Sequence, residues 1–415
     1  MNVITARGSA RQVSSQPRRR HKPDYWLPIL ATSLLSVGLI VVYAISPGMS
    51  ALKGVSEGYY ISKQLVAILL GVAAFIILSK IPYTYWRSVV KPLIIIAAIS
   101  AAAVFVFGEE VNGAHRWIQL GGVSFQSAEL IKFALLIGLA DFLARRKSEM
   151  ALDDTTRTLK PIAIAFAVIA GVVAIGQSDF GSAMVMVGMG TAMMFMAGVP
   201  LYKLFQAGLV LVAIGGLLIL TSGYRRVRVA TFLNPTADCQ NAGYQSCQAL
   251  IAVGSGGMFG LGLARSVQAY GYLPEAANDS IFAILAEKFG FLGVSIIIAA
   301  FAMFFGRLTR IIERAPDDFA RLLVTGMLAW FAVQAIINIG AMVGLLPLKG
   351  ITLPFISYGG TSLLFVTGAL GIAFQISRYS SFASNNNESG ATPYEDPTYR
   401  RGQRRPYYAS ARRSA

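Results

Sequence analysis

The chain has 415 residues, 55% of them hydrophobic and only 13% charged, and its mean hydropathy is +0.59, whereas soluble domains carry about 25% charged residues. That composition excludes a soluble enzyme and divides the length into spanning helices of about 20 residues. The net charge of +16 would suit a nucleic-acid binder, but the basic residues lie between apolar runs and in the tails, so no nucleic-acid partner is expected; two cysteines and two histidines leave neither a disulfide framework nor a four-ligand zinc site.

Residues 1–25 are polar and basic without an apolar period and predict a disordered tail. Apolar runs then predict helices over 26–46, 60–79, 92–108, 128–144, 161–177, 180–199, 201–221, 280–305, 322–345 and 358–377. The fold class is an all-α polytopic membrane protein, with ten transmembrane helices between residues 26 and 377. The first run follows a polar tail and lacks a small-residue cleavage pattern, so it reads as a retained helix rather than a secretory signal. Ten spans place both termini on one side. Arg18, Arg19, Arg20 and Lys22 precede the first helix and Arg145, Arg146 and Lys147 follow the fourth, which puts that side in the cytoplasm. The polar stretch 222–279 becomes a large extracytoplasmic loop between helices 7 and 8, and its length and its aromatic and Gly-rich content favour function. Residues 378–415 predict a second disordered, Arg-rich tail, suited to anionic lipid headgroups.

Candidate residues follow the same order. Glu129 and Lys132, three apart, face one side of the fourth helix and are expected to pair. Asp179, in the short connection before the sixth, is expected to cap that helix rather than line a site. Arg225, Arg226 and Arg228 are unusual on an outer side; their forked donors suit a pyrophosphate, or they form a collar anchoring helix 7. Cys239 and Cys247 share the outer loop, where a disulfide is expected to form. The run Gly254–Gly262 lacks the strand and the Lys-Ser or Lys-Thr of a P-loop, and predicts tight turns and close backbone approach instead. Asn278 or Asp279 would cap the eighth helix, or Asp279 would act as a general base at the membrane surface. Gln334 and Asn338 share one face of the ninth helix and are expected to join helices by hydrogen bonds. Pro347, Gly350, Pro354, Gly359 and Gly360 then break the chain into either a re-entrant floor beside a cavity or a kinked connector.

Read together in order, Gly113–Ile118, Gln126–Glu129 with Lys132, Gln177–Gly181, Tyr224-Arg225 with Arg228, Gly243-Tyr244-Gln245, Leu273–Ala276 with Asp279, Gln334 with Asn338, and Leu353–Gly360 resemble the SEDS family of bacterial cell-wall polymerases over about residues 26–378. The resemblance implies ten transmembrane helices and a peptidoglycan glycosyltransferase of the cytoplasmic membrane. Such an enzyme polymerises lipid II into undecaprenyl-pyrophosphate-linked glycan on the outer face, with a class B penicillin-binding transpeptidase. Lys349–Pro354, and Ser266 with Gln268, look like the family's division branch, which implies septal synthesis and other divisome partners. The family's essential carboxylate falls on Asp279. Arg116, Gln245 and Ser357 join the Arg225–Arg228 cluster as candidate substrate or pyrophosphate contacts, and Glu129, Lys132, Asp179, Gln334 and Asn338 are structural or activating. Ser127 and Ser178 depart from the family's prolines, and Asn278-Asp279-Ser280 departs from its His-Thr-Asp-Phe. A divalent cation, Mg or Mn, bridging Asp279 and pyrophosphate fits the chemistry without being required. Two competing readings are a lipid II flippase, which needs polar sites through both leaflets whereas the candidates here concentrate outside, and a scaffold that binds the transpeptidase without catalysis.

Overall fold

The computed structural model describes residues 19–380 except 21, 112–113, 121–122, 221–222, 235–237 and 242. In chain order the elements are β1 (Arg19–Arg20), α1 (Trp26–Lys53), α2 (Tyr59–Leu78), α3 (Val90–Phe107), β2 (Glu109–Val111), β3 (Ala114–Leu120), β4 (Val123–Gln126), α4 (Ser127–Ser148), α5 (Lys160–Ile169), α6 (Phe180–Ala197), α7 (Leu201–Leu220), α8 (Gly223–Leu233), α9 (Tyr244–Ser255), α10 (Ile281–Glu313), α11 (Asp318–Met342), α12 (Gly360–Ile376) and β5 (Tyr379–Ser380). A π-helical turn precedes and another follows α5, making one rod over 155–176. Asp154 caps that rod: its carboxylate accepts from the backbone amides of Thr156 and Arg157 at 2.8 and 3.0 Å, and the Arg157 amide leads in holding the Asp154 carboxyl below its ordinary value.

A helix stands at each of the ten predicted segments. Among the described residues, seven helical stretches are long and apolar enough to cross a membrane: α1, α2, α3, the rod 155–176, α6, α10 and α11. Glu129, Lys132 and Asp141 interrupt the apolar run of α4, and α12 has only 17 residues. The centre of the bundle is α11, which is buried along its length and packs on α4, α6 and α10, while α2 lies along α12. Small residues permit close backbone approach: a Cβ on Gly371 of α12 would stand 2.7 Å from the Phe75 carbonyl oxygen of α2, and one on Gly38 of α1 would stand 2.3 Å from that of Ile356 in the connection before α12.

Three features depart from the sequence reading. The antiparallel sheet β2–β3–β4 fills the connection before α4, where no element was predicted. Strand β1 pairs with β5, Arg19 opposite Ser380 and Arg20 opposite Tyr379. Order therefore extends beyond the tail boundaries set at 25 and 378, while 1–18 and 381–415 lie outside the described residues. The predicted loop 222–279 also carries two helices, α8 and α9.

The glycine run achieves the close backbone approach expected of it, and its partner is α10. At Gly290 (φ 66°, ψ −171°) α10 breaks its helical path. There the amides of Leu261 and Gly262 donate to the carbonyls of Glu287 and Lys288 at 2.9 and 3.0 Å, while those of Phe291 and Leu292 donate to Gly257 and Met258 at 2.8 and 3.1 Å. Two backbones can interlock like this only without side chains between them: a Cβ on Gly260 (φ 80°) would lie 2.2 Å from the Lys288 oxygen. Gly260→Ala is therefore expected to lower stability by about 3 kcal/mol, from the left-handed strain and the clash together. A shifted thermal transition and faster proteolysis around residue 260 would read that loss; unchanged melting would refute the interlock.

Candidate active site

Residues 343–359 join α11 to α12 without a helix, turning at Gly344, Gly350 and Phe355, whose φ values are 77°, 66° and 66°. Buried irregular backbone needs partners for its carbonyls and amides, and α11 supplies them. The Trp330 indole N–H donates to Gln334 Oε1 at 2.8 Å, and Gln334 Nε2 donates to the Thr352 carbonyl and hydroxyl at 2.9 and 3.0 Å. Asn338 Nδ2 donates to the Ile351 and Asp279 carbonyls, each at 2.7 Å. The Gln334 and Asn338 amides thus tie a helix to a floor and to the backbone of Asp279, rather than simply helix to helix. The stretch is thus an irregular floor packed against α11 beside the Asp279 cavity rather than a plain kinked connector.

The floor also holds the residues before Asp279. The Tyr358 amide donates to the Ala277 carbonyl at 2.9 Å, and the Ser357 hydroxyl donates to the Asn278 carbonyl at 2.6 Å while accepting from the Leu353 amide at 2.7 Å. Ser357 is buried and both roles of its hydroxyl are taken within the chain. Ser280 occupies the N-cap position of α10, and the Asn278 side chain turns to the Glu275 carboxylate, so the capping alternative is not realised at Asn278. Asp279 instead lines a cavity of about 10 Å³ with Asn338, Lys349 and Gly350 and the apolar Ile337, Ala341, Met342 and Ile351. That volume admits one group the size of a water or a hydroxyl. Oδ1 of Asp279 is sealed from solvent, and Asn338 Oδ1, equally buried, has no hydrogen-bond partner. A carboxylate that shares a cavity with an amide oxygen open to a donor can accept a proton from a hydroxyl placed there.

The remaining candidates fall into supporting groups. Glu129 and Lys132 pair at 2.8 Å as expected, both buried, and the Lys132 ammonium lies 5.3 Å from the Trp330 ring centre, so the pair backs the Trp330–Gln334 link. Asp179 caps α6 by accepting from the Ser182 amide at 2.9 Å, and its other oxygen accepts from Gln126 Nε2 at 3.0 Å. The Arg116 guanidinium donates to the Gln177 and Ser178 carbonyls at 2.9 and 2.7 Å, fastening β3 to the connection before α6. The two serines named above each have a local role: Ser127 Oγ accepts from Gln177 Nε2 at 2.9 Å, and Ser178 has φ 53°, a value closed to proline. Gln245 Nε2 donates to Ser280 Oγ at 3.2 Å, and Cys239 and Cys247 are joined in a disulfide, Cα–Cα 5.6 Å. Arg226 is exposed on α8, which packs on α7; the side chains of Arg225 and Arg228 lie outside the described ones. Among the described residues no three His, Cys, Asp or Glu side chains gather as a metal site.

Sequence reasoning missed three charged contributors. Lys349 lines the Asp279 cavity. The buried Glu287 carboxylate accepts from the Val267 and Gln268 amides at 2.8 and 3.0 Å and from the Ser266 hydroxyl, and the neighbouring Lys288 ammonium donates to the Leu263 carbonyl at 2.7 Å. Together they clamp 263–268 onto α10. Two adjacent ionisable residues, Glu287 and Lys288, inside the apolar run 281–306 were the available signal.

The chain matches the model of the FtsW/RodA/SpoVE cell cycle proteins over residues 25–382. The probable peptidoglycan glycosyltransferase FtsW of Coxiella burnetii is 39% identical over 85% of this chain and 95% of its own, and stage V sporulation protein E of Bacillus subtilis is 36% identical over 88% and 99%. The fold is similar to that of a chain in a solved peptidoglycan synthase complex that coordinates polymerization and crosslinking, with TM-score 0.72, 24% identity and coverage of 86% and 98%. It is also similar to the rod shape determining protein RodA of Thermus thermophilus, with TM-score 0.63, 25% identity and coverage of 86% and 97%. With seven helices among the described residues long and apolar enough to span a bilayer and a family model covering residues 25–382, this chain is a membrane protein of the FtsW/RodA/SpoVE family.

Proposed function

We propose that this protein is a peptidoglycan glycosyltransferase that polymerises lipid II on the outer face of the cytoplasmic membrane, at the division septum and with a class B penicillin-binding transpeptidase as partner. The observation that carries the reading is Asp279, its carbonyl held by Asn338 of α11, the two residues before it held by the floor, and its carboxylate lining a cavity of hydroxyl size. The names of the FtsW relatives and the synthase complex support the reaction and the partner. Asp279 takes the proton of the acceptor sugar's 4-hydroxyl, whose oxygen attacks the anomeric carbon of the growing glycan as undecaprenyl pyrophosphate leaves. Arg225, Arg226 and Arg228 neutralise the departing charge. A divalent cation, where one takes part, would be held by the Asp279 carboxylate and Asn338 Oδ1 and would supply positive charge to the leaving pyrophosphate.

The ten-span arrangement is part of the proposal: α4, α7 and α12 join the seven apolar spans, both termini lie in the cytoplasm, and the Asp279 segment faces outward. The pairing of β1 with β5 at one end of the chain's fold supports the shared side of the termini. Reconstitution in liposomes with labelled lipid II and the transpeptidase tests the function, with glycan polymer as the expected product. Lipid II crossing the bilayer without polymer would replace this reading with a flippase.

Asn338→Ala is expected to lower the polymerisation rate by about 10- to 100-fold, because two carbonyls lose their donor and the base shifts. Single-turnover kinetics on a variant that melts normally would measure it, and an unchanged rate would remove Asn338 from the site.

A further inference from the structure

We propose that the Cys239–Cys247 disulfide, acting through Gln245, is a clamp that holds the Asp279 segment in its reactive position, so that oxidation of this thiol pair completes the site. The inference rests on the reading of Asp279 as the base. Cys247 is buried one turn into α9, and the bridge ties that turn to residues 238–241. This outer turn is itself built: the Gly243 amide donates to the Asp238 carbonyl at 2.9 Å, and Asn241 donates to Asp238 Oδ1 through both its backbone and side-chain nitrogens at 3.1 Å. Between the two cysteines, Gln245 Nε2 donates to Ser280 Oγ, and that buried hydroxyl donates to the Pro274 carbonyl at 2.9 Å. The Ser280 amide closes the same bend by donating to the Glu275 carbonyl at 3.2 Å.

Asp279 is therefore gripped from two directions. Asn338 and the floor hold its carbonyl side, and Ser280, the residue immediately after it, is held by Gln245 on a helix whose first turn is covalently tethered. Gln245, a candidate substrate contact by sequence, is on this geometry a positioning residue. In forming the bridge the two thiols lose two electrons and two protons to a disulfide-bearing oxidant by thiol–disulfide exchange, and the oxidant leaves as a dithiol. A chain that has not met such an oxidant carries a loosened base.

The test uses the full-length protein with its transpeptidase in liposomes. Maleimide labelling of denatured, unreduced protein is expected to find no free thiol. Reduction followed by alkylation, Cys239→Ser with Cys247→Ser, and Gln245→Ala are each expected to lower kcat about tenfold with an unchanged KM for lipid II, since the base moves while the substrate surface stays. Reduction should add little to the Gln245→Ala loss, because both act on one link. Amide hydrogen exchange over 273–281 should accelerate in all three, a readout that stands even if Asp279→Asn retains activity and the base assignment falls. Free thiols in the purified protein, unchanged exchange and rate after reduction, a change in KM alone, or losses that multiply would each overturn the clamp.

Discussion

Asp279→Asn is expected to cut glycan polymerisation by about a thousandfold while leaving the thermal transition within a few degrees of the parent. The amide has the carboxylate's shape but cannot accept and carry the acceptor hydroxyl's proton. The segment's path survives, because hydrogen bonds from Asn338, Ser357 and Tyr358 hold the backbone carbonyls of residues 277–279. Polymer length from labelled lipid II, measured beside the melting curve and beside co-purification of the transpeptidase, separates loss of chemistry from loss of fold or assembly. A well-folded Asp279→Asn that makes glycan at the parental rate would eliminate the base and return the scaffold reading.

The largest stability effect is expected at Glu287. Replacing it with alanine leaves the Val267 and Gln268 amides and the Ser266 hydroxyl without an acceptor and removes the counter-charge beside buried Lys288. That combination costs about 3–5 kcal/mol. Glu287→Gln keeps a carbonyl oxygen for the two amides and should cost only about 1 kcal/mol. The paired variants make the measurement specific. If melting in detergent drops sharply for alanine but little for glutamine, and exchange over 261–268 rises with it, the carboxylate is the clamp; equal melting of all three proteins would exclude it.

The helices were legible because hydropathy writes them directly: α1, α2, α3, α6, α10 and α11 each fall on a predicted run, the Glu129–Lys132 pair follows from helical spacing, and the Asp179 cap follows from its place just before the sixth run. The sheet β2–β3–β4 is not written in hydropathy, because its strands of 3, 7 and 4 residues are too short to form a long apolar run; its signal is the hairpin dipeptides Asn112-Gly113 and Gly121-Gly122 that flank Ala114–Leu120. The candidate site was legible residue by residue but not as an arrangement. Nothing in the spacing of Gln334 and Asn338 says that their amides reach Thr352, Ile351 and the Asp279 carbonyl rather than another helix, since partners 13 to 59 residues away are set by packing. The break at Gly290 was hidden for a similar reason. A glycine inside an apolar run reads as helix until the backbone of residues 257–262 is laid against it.

The contact between Gly38 and the Ile356 carbonyl has a consequence for how the enzyme comes into being. Helix α1 leaves the ribosome first and the floor comes more than 300 residues later, yet the bare face of Gly38 is the surface against which Ile356 is seated. Chains are made from the N-terminus onward, so Asp279 reaches the membrane before Asn338, Ser357 and Tyr358 exist to hold it. Each nascent chain therefore carries Asp279 without its holders from the moment residue 279 is made until Tyr358 follows, and the segment is secured only late in synthesis.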